Sequence, residues 1–268
     1  MPDRVRASIN YLGAMDVRPR YHAQDHARDN LVLDPQVVEI ADLRGAGASL
    51  AVEGFALVPH ESVVVDFRDA AAVTRLHPAE IESLLLRETG ADRVVVTGTG
   101  ILRFGERSPL SGKLFNSQPA RFIHIDISDP TARDFAARSQ PEGRRVRRFA
   151  HYNVWRAITA PPQDVPLTVC DARSLSPDNL VTADAVFDAP GAAPEWSFEG
   201  LLVRHSPRHR WCYFSGMNRD EALIFKTNDS DPAEPHHVPH SAFDDPSRPP
   251  GVAPRGSIEM RAVAYWLD

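Results

Sequence analysis

Few of the basic residues in the chain are lysines. Of its 268 residues, 30 are Lys or Arg, but only Lys113 and Lys226 are lysine. The 36 acidic residues give a formal net charge of −6. Nucleic-acid-binding proteins neutralise phosphates with an excess of basic side chains. The charge balance therefore argues against a nucleic-acid-binding function.

Long apolar runs and cysteines are also scarce. No stretch approaches the roughly 20 apolar residues of a membrane span, and the first ten residues lack the apolar run of a signal peptide. We therefore expect a cytoplasmic protein without a membrane partner. Cys170 and Cys212 are too few for a disulfide framework. Both lie in strand-like runs, where free cysteine usually acts as a small buried apolar residue.

The prolines indicate a mainly β fold. Seven of the 23 precede residue 130 and 16 lie from Pro130 onward, between short β-branched and aromatic runs. Strand interiors exclude proline, so this pattern is typical of short strands joined by long loops. Seven or eight antiparallel strands, with one tight hairpin at 206–208, predict a double-stranded β-helix (jelly-roll) barrel.

The first half has a mixed pattern. A strand is predicted over 57–67 and a helix over 70–89. The remaining predicted strands cover 93–97, 100–104, 121–128, 150–158, 167–174, 199–205, 209–215, 221–227 and 256–266. We expect one domain over 1–268, with an α/β region at 1–118 whose helices brace a sheet of the β-helix core at 119–268.

A glycine pair after a strand raises the question of a dinucleotide site. Gly98 and Gly100 follow the run VVVT, but the third glycine of G-x-G-x-x-G would fall at position 103, which is Arg103. No helical pattern follows. A Rossmann or methyltransferase site is therefore not expected.

His124 and Asp126 form an H-x-D pair. Alternate positions of a strand point to one face, so an imidazole and a carboxylate at this spacing can hold one divalent metal. The pair lies near the end of a predicted strand, at the expected mouth of the barrel. Two histidines and one carboxylate with open positions are typical of non-haem Fe(II) oxygenases.

A second histidine must come from further along the chain. His240 follows Asp126 by 114 residues and precedes Arg255 by 15, an order that suits a distal metal ligand followed by a cation for a cosubstrate carboxylate. His209 is the second choice, because it begins a strand beside Trp211. The other candidates are His205, His236 and His237.

Cations and aromatic residues on later strands are candidates for ligand binding. Arg255, supported by the Ser257 hydroxyl, could bind a carboxylate by a two-point contact. Arg261, on the same predicted strand, is the competing cation. The candidates for the wall of the substrate pocket are Asn153, Trp155, Arg156, Trp211 and Tyr213. Of these, Asn153 and Trp155 share one face of their strand and Arg156 lies on the other.

The chain resembles the CmcJ/NvfI-type oxidoreductases, a family that includes the cephamycin-pathway hydroxylase and fungal enzymes of the gibberellin-desaturase-like, AsaB group. The matching segments run in order along nearly the whole length. They are INYL (9–12), EGF (53–55), TGA (89–91), HID (124–126), NVWR (153–156), PLTVCDARS (166–174), HRWCYF (209–214), DEALIFK (220–226), HSAF (240–243) and RGSIEMR (255–261).

The resemblance implies a cupin-like β-helix oxygenase that uses Fe(II), 2-oxoglutarate and O2 on a small natural-product intermediate. It places the metal pair on His124 and Asp126, and the distal ligand on His240 or His209. It implies that Arg255 or Arg261 holds the far carboxylate of 2-oxoglutarate. Hydrogen abstraction from the substrate would then lead to hydroxylation, desaturation or ring closure.

Two other functions stay open at this point. A metal-dependent hydrolase or isomerase would use zinc on the same barrel, because the ligand types alone do not fix the metal. A binding barrel without catalysis would keep the pocket and need no iron. A pathway methyltransferase is a candidate partner, and a monomer and a homodimer suit the surface equally well.

Overall fold

The structure is a computed structural model that describes residues 3–114, 116–187 and 196–268. Its β-strands are β1 (Arg4–Leu12), β2 (Arg20–His22), β3 (Leu33–Asp42), β4 (Phe55–Pro59), β5 (Arg93–Val96), β6 (Ile101–Phe104), β7 (His124–Ile125), β8 (Val146–Ala157), β9 (Leu167–Cys170), β10 (Leu180–Phe187), β11 (Trp196–Val203), β12 (Trp211–Tyr213), β13 (Glu221–Asp229), β14 (His240–Ala242) and β15 (Gly256–Leu267). The helices are α1 (Ala70–Thr89) and α2 (Asp129–Arg138), together with three short 3-10 turns.

The strands form two sheets. Nine strands pair in the order β1-β3-β12-β9-β14-β7-β11-β10-β2, and five pair in the order β4-β13-β8-β15-β5, with β6 also on β15. Apolar side chains from both sheets, including Phe55, Trp155, Val169 and Phe225, pack into one shared core. The curled sheets form the double-stranded β-helix that the sequence predicts.

Helix α1 covers the outer face of the smaller sheet. Asp69 caps its start by accepting from the backbone N–H groups of Ala71 and Ala72, and Gly90 ends it in the left-handed conformation. The buried side chains of Ile81, Leu84 and Leu85 pack against β5, β8 and β15. The predicted bracing helix at 70–89 is therefore present. The other α-helix of the described residues, α2, comes from the second half of the chain.

Several predicted elements differ in extent or pairing. Of the strand predicted over 57–67, only the part within β4 (Phe55–Pro59) is a strand. Of the one predicted over 121–128, only the two residues of β7 are. The hairpin prediction at 206–208 is wrong, because β11 pairs with β10 and β7 whereas β12 pairs with β3 and β9.

Strands β1 and β3 are not among the predicted strands. They lie at one edge of the larger sheet. Their antiparallel ladder runs from Arg4 opposite Ala41 to Leu12 opposite Leu33, and β3 pairs in parallel with β12. Strand β4 likewise pairs with β13 in the smaller sheet. The first 118 residues thus contribute strands to both sheets. Within the described ranges, no helix is long and apolar enough to cross a membrane.

Candidate metal centre

His124 and His240 lie opposite each other on neighbouring strands. Strand β14 pairs with β7, and the backbone register sets His240 directly across from His124. Both side chains are buried, and their ring centroids are 4.3 Å apart. Sequence spacing alone could not predict this register, since 114 residues lie between the two strands.

Backbone carbonyls fix the orientation of both imidazoles. His124 Nδ1 lies 3.0 Å from the Phe122 carbonyl oxygen, and His240 Nδ1 lies 3.3 Å from that of Val238. A carbonyl oxygen only accepts, so each Nδ1 carries the proton. Each Nε2 then has a free lone pair, which is the form in which histidine binds a metal.

Asp126 completes the cluster. Its Oδ1 is 3.7 Å from His124 Nε2, and one potential ligand atom from each of His124, Asp126 and His240 lies within 4.8 Å of the others. The backbone around Asp126 lies close to β11, where a Cβ on Gly200 would stand 2.9 Å from the Asp126 carbonyl oxygen. Glycine at position 200 therefore permits this approach.

Two side chains of the smaller sheet hold the Asp126 carboxylate. Asn153 Nδ2 donates to Oδ2 at 2.5 Å, and Arg261 donates to Oδ1 at 2.9 Å. Arg261 also binds Glu259 at 3.0 Å. These contacts connect β8 and β15 to the segment that follows β7, so both sheets contribute to the centre.

The electrostatics favour a cation. Burial lowers the pKa of His124 to about 3, and the neighbouring His240 adds to this effect. Burial alone would raise the pKa of Asp126, but Arg261 and the two histidines hold it well below its usual range. The cluster therefore presents two neutral imidazoles and one carboxylate at neutral pH. This ligand set suits a divalent transition metal.

Arg255 lines the same cavity as the three candidate ligands. It is 1% exposed, and one guanidinium nitrogen donates to the Val165 carbonyl at 2.6 Å. Its buried Nε has no hydrogen-bond partner within the described part of the chain. Burial and the nearby Arg103 lower its pKa to about 9, so it stays charged at neutral pH. A buried cation in this state is suited to an anionic ligand.

Alternate residues of β15 explain which side chains enter the barrel. Arg255 precedes the strand, and Ser257, Glu259 and Arg261 follow at intervals of two, while Ile258 and Met260 pack on the opposite face. Ser257 Oγ lies 3.5 Å from the Arg103 carbonyl, and Arg261 binds two carboxylates. Of the two cations predicted to hold a cosubstrate carboxylate, Arg255 therefore has the guanidinium with fewer contacts to protein groups.

The cavity also contains residues that sequence reasoning missed. Arg103, Leu167, Ser241 and Glu259 line it together with the predicted Trp155. Glu259 could have been found from its alternation with Arg255 and Arg261. Arg103 could not, because it reaches the site through the pairing of β6 with β15.

Other predicted residues lie elsewhere. His209 contacts Tyr11, whose hydroxyl is 3.1 Å from its Nδ1, and it is outside the His124–Asp126–His240 cluster. Trp211 donates to the same hydroxyl at 2.7 Å, and Tyr213 packs edge-on against Phe243 within the core of the larger sheet.

Arg156 points away from the barrel interior. It donates to the carbonyls of His60 and Arg219 at 2.9 and 2.6 Å, on the face of β8 opposite to Asn153. We correct the pocket-wall prediction accordingly. Trp211, Tyr213 and Arg156 belong to packed regions of the fold, whereas Asn153 and Trp155 face cavities at the centre.

A larger cavity of about 700 Å³ also reaches Asp126. Asn153, Glu259 and Arg261 line its polar end. An aromatic cluster of Phe135, Phe187, Trp196 and Phe198, with ring centroids 5.1 to 6.3 Å apart, lines another part of it. Its size and its mostly apolar lining suit a small organic molecule.

A β-helix barrel with two histidines and one carboxylate at its centre is typical of the class of non-haem metal oxygenases. A family model described as "Oxidoreductase/YMDC permease-like domain" matches residues 9–265. The chain is 34% identical over 242 residues to hydroxylase/desaturase CTB9 of Cercospora beticola, which covers 82% of this chain and 72% of the relative.

Two further comparisons involve one fungal enzyme. The chain is 30% identical over 202 residues to the Fe(II)/2-oxoglutarate-dependent dioxygenase nvfI of Aspergillus novofumigatus (strain IBT 16806), which covers 74% of this chain and 69% of the relative. A solved structure of the iron and alpha-ketoglutarate-dependent endoperoxidase NvfI superposes with a TM-score of 0.83 at 25% identity, covering 99% and 98% of the two chains. The chain belongs to the NvfI/AsaB-type family of Fe(II)/2-oxoglutarate-dependent oxygenases.

Proposed function

We propose that this oxygenase hydroxylates or desaturates a small natural-product intermediate, with iron held by His124, Asp126 and His240. The observation that carries the assignment is the convergence of these three side chains beside the buried Arg255. The two Nε2 lone pairs and the Asp126 carboxylate fit Fe(II), and three ligands leave positions for the cosubstrate and O2.

The bound iron, 2-oxoglutarate and O2 supply the oxidising chemistry that amino-acid side chains lack. The protein positions the reactants. Arg255 binds the distal carboxylate of 2-oxoglutarate through N–H groups that Val165 leaves free, and Trp155, whose ring is 5.6 Å from the Arg255 guanidinium carbon, closes the site to water. Ser257 supports the backbone next to this anchor.

Asn153 and Arg261 hold the carboxylate of Asp126 in one orientation and keep it ionised. The 700 Å³ cavity takes the substrate, with its apolar part against Phe187 and Phe198 and its reacting carbon toward Asp126. A cavity of this size fits a molecule of drug-like dimensions. The location in the cytoplasm, the methyltransferase partner and the choice between monomer and homodimer stay predictions.

The test is anaerobic reconstitution with Fe(II) and 2-oxoglutarate, read by the metal-to-ligand charge-transfer band in the visible spectrum. We expect the band in the native protein and its loss in His124→Ala and His240→Ala. His209→Ala is the matched control, because it removes a histidine near the barrel but outside the cluster, and it should keep the band.

A band that is kept in His240→Ala and lost in His209→Ala would assign the third ligand position to His209. Absence of the band in native protein that binds Fe(II) would contradict the 2-oxoglutarate assignment. Metal binding without the band would then favour a metal-dependent hydrolase or isomerase.

A further inference from the structure

A second group of metal-binding side chains lies outside the iron centre. Asp129, His236 and His237 each offer one ligand atom, and these atoms lie within 4.8 Å of one another. Asp129 is the first residue of α2, and the two histidines are in the loop before β14. The three residues share no member with the His124–Asp126–His240 cluster.

One carboxylate oxygen is the focus of this second group. Asp129 Oδ1 is 2.9 Å from His236 Nε2, 3.3 Å from His237 Nε2 and 2.8 Å from Asn228 Nδ2. Three nitrogens therefore surround one oxygen. Asn228 provides a hydrogen for this oxygen, but the imidazoles do so only if their Nε2 atoms are protonated.

His237 has its lone pair directed at the carboxylate. Its Nδ1 lies 2.9 Å from the carbonyl oxygen of Thr227, so Nδ1 carries the proton and Nε2 of the neutral ring is an acceptor. Two acceptors, Nε2 and Asp129 Oδ1, then face each other at 3.3 Å. The same arrangement of Nδ1 on a backbone carbonyl occurs at both histidines of the iron centre.

The two imidazole rings of this group lie beside each other. The rings of His236 and His237 are 4.2 Å apart, so two imidazolium ions would repel each other at short range. A divalent cation between the three side chains satisfies both imidazoles and the carboxylate at once.

We propose that Asp129, His236 and His237 form a second divalent-cation site, of the zinc type, that is separate from the iron centre. Two imidazole nitrogens and one carboxylate oxygen are common ligands of zinc. The side chains of Asp129 and His236 are 48% and 38% exposed, so water can reach the ion and complete its coordination. The ion would join the start of α2 to the loop before β14, close in sequence to Asp126 and His240.

The experiment measures bound Zn²⁺ by atomic absorption after the full-length, metal-free protein is equilibrated with the ion and dialysed. We expect two equivalents in the native protein and one in His236→Ala. His124→Ala should also keep one, and the double variant none. His205→Ala, which removes an exposed histidine outside both clusters, should keep two.

A thermal melt gives an independent reading. In the His124→Ala background, Zn²⁺ should raise the melting temperature, and adding His236→Ala should abolish that rise. Asp129→Asn tests the same site if His236→Ala does not fold. One equivalent of Zn²⁺ in the native protein, lost in His124→Ala and kept in His236→Ala, would overturn the proposal.

Discussion

Asn153 on β8 donates a hydrogen bond of 2.5 Å to Oδ2 of Asp126, so that one sheet holds a candidate metal ligand of the other. Groups that orient a metal ligand usually contribute about 10- to 100-fold to metal affinity or activity. We predict that Asn153→Ala weakens Fe(II) binding by about that factor, because the Asp126 carboxylate loses one of its two hydrogen-bond donors and is held less firmly in its orientation.

Anaerobic Fe(II) titration against a competing chelator measures this change. Asn30→Ala is the control, because its amide donates to the Arg18 carbonyl and its oxygen accepts from the Arg20 N–H in an exposed loop. Iron affinity that is equal in the native protein and Asn153→Ala would show that the hydrogen bond does not position Asp126.

Arg255 provides the second prediction. Hydrogen bonds to a charged group contribute about 1.5–3 kcal/mol, so Arg255→Ala should raise the KM for 2-oxoglutarate about 10- to 100-fold. The kcat at saturating cosubstrate should change much less. Arg255→Lys keeps the charge and should recover part of the loss, but without the planar two-point contact of a guanidinium.

Arg107→Ala is the matched control for this measurement. Arg107 forms an ion pair with Asp164 at 3.0 Å, and Asp164 also accepts a hydrogen bond from the backbone N–H of Arg255. The side chain of Arg107, however, is 49% exposed. Its KM for 2-oxoglutarate should match that of the native protein. If Arg255→Ala also matched it, the anchor would have to be another cation of the cavity.

A third prediction concerns pH. His151 is buried and donates from Nε2 to the Ala132 carbonyl at 2.9 Å, and burial lowers its pKa to about 4. In the unfolded chain the pKa of histidine is about 6.5. Between these values the unfolded state binds more protons than the folded state, so stability falls as the pH falls from about 6.5 toward 4.

This sign makes His151 a source of acid sensitivity. Between pH 7 and 5 the native protein should lose about 2 kcal/mol of unfolding free energy through this residue, on top of other contributions. Urea unfolding of His151→Gln should show a pH dependence smaller by that amount. Tyr152→Phe alters the neighbouring buried position and should keep the native pH dependence, whereas equal slopes for all three proteins would contradict the assignment.

The sequence indicates the individual strands and site residues more fully than it indicates which strands pair. Alternation of residues placed Asn153 and Trp155 on one face of β8, and the H-x-D pair marked His124 and Asp126. Strands β1 and β10 carry similar alternation, in RVRASINYL and LVTADAVF, but are not among the predicted strands. Both strands could therefore have been predicted from the sequence.

Contacts between distant strands were not within reach. The approach of His240 to His124 depends on the register of β14 against β7, which no local pattern encodes. The partners of Arg261 depend in the same way on how the two sheets face each other. Trp211 and Tyr213 show the converse, because aromatic residues on a strand favour a pocket wall and a packed core equally until the neighbouring strands are known.

The packing of α1 on the smaller sheet gives the fourth prediction. Leu84 is fully buried against β5, β8 and β15, whereas Leu86, two residues later, is 38% exposed. Replacing a buried leucine by alanine costs about 2–5 kcal/mol, since the cavity left behind loses its contacts. Alanine is also the best helix former, so the helix itself is not weakened by either change.

We therefore expect Leu84→Ala to lower the free energy of unfolding in urea by about 2–5 kcal/mol and Leu86→Ala by less than about 1 kcal/mol. The two variants differ in burial and share residue type, helix and substitution. A comparable loss in both would mean that α1 stabilises the protein through its own helical structure. A large loss confined to Leu84→Ala would establish that the N-terminal half braces the sheet that carries Asn153 and Arg261.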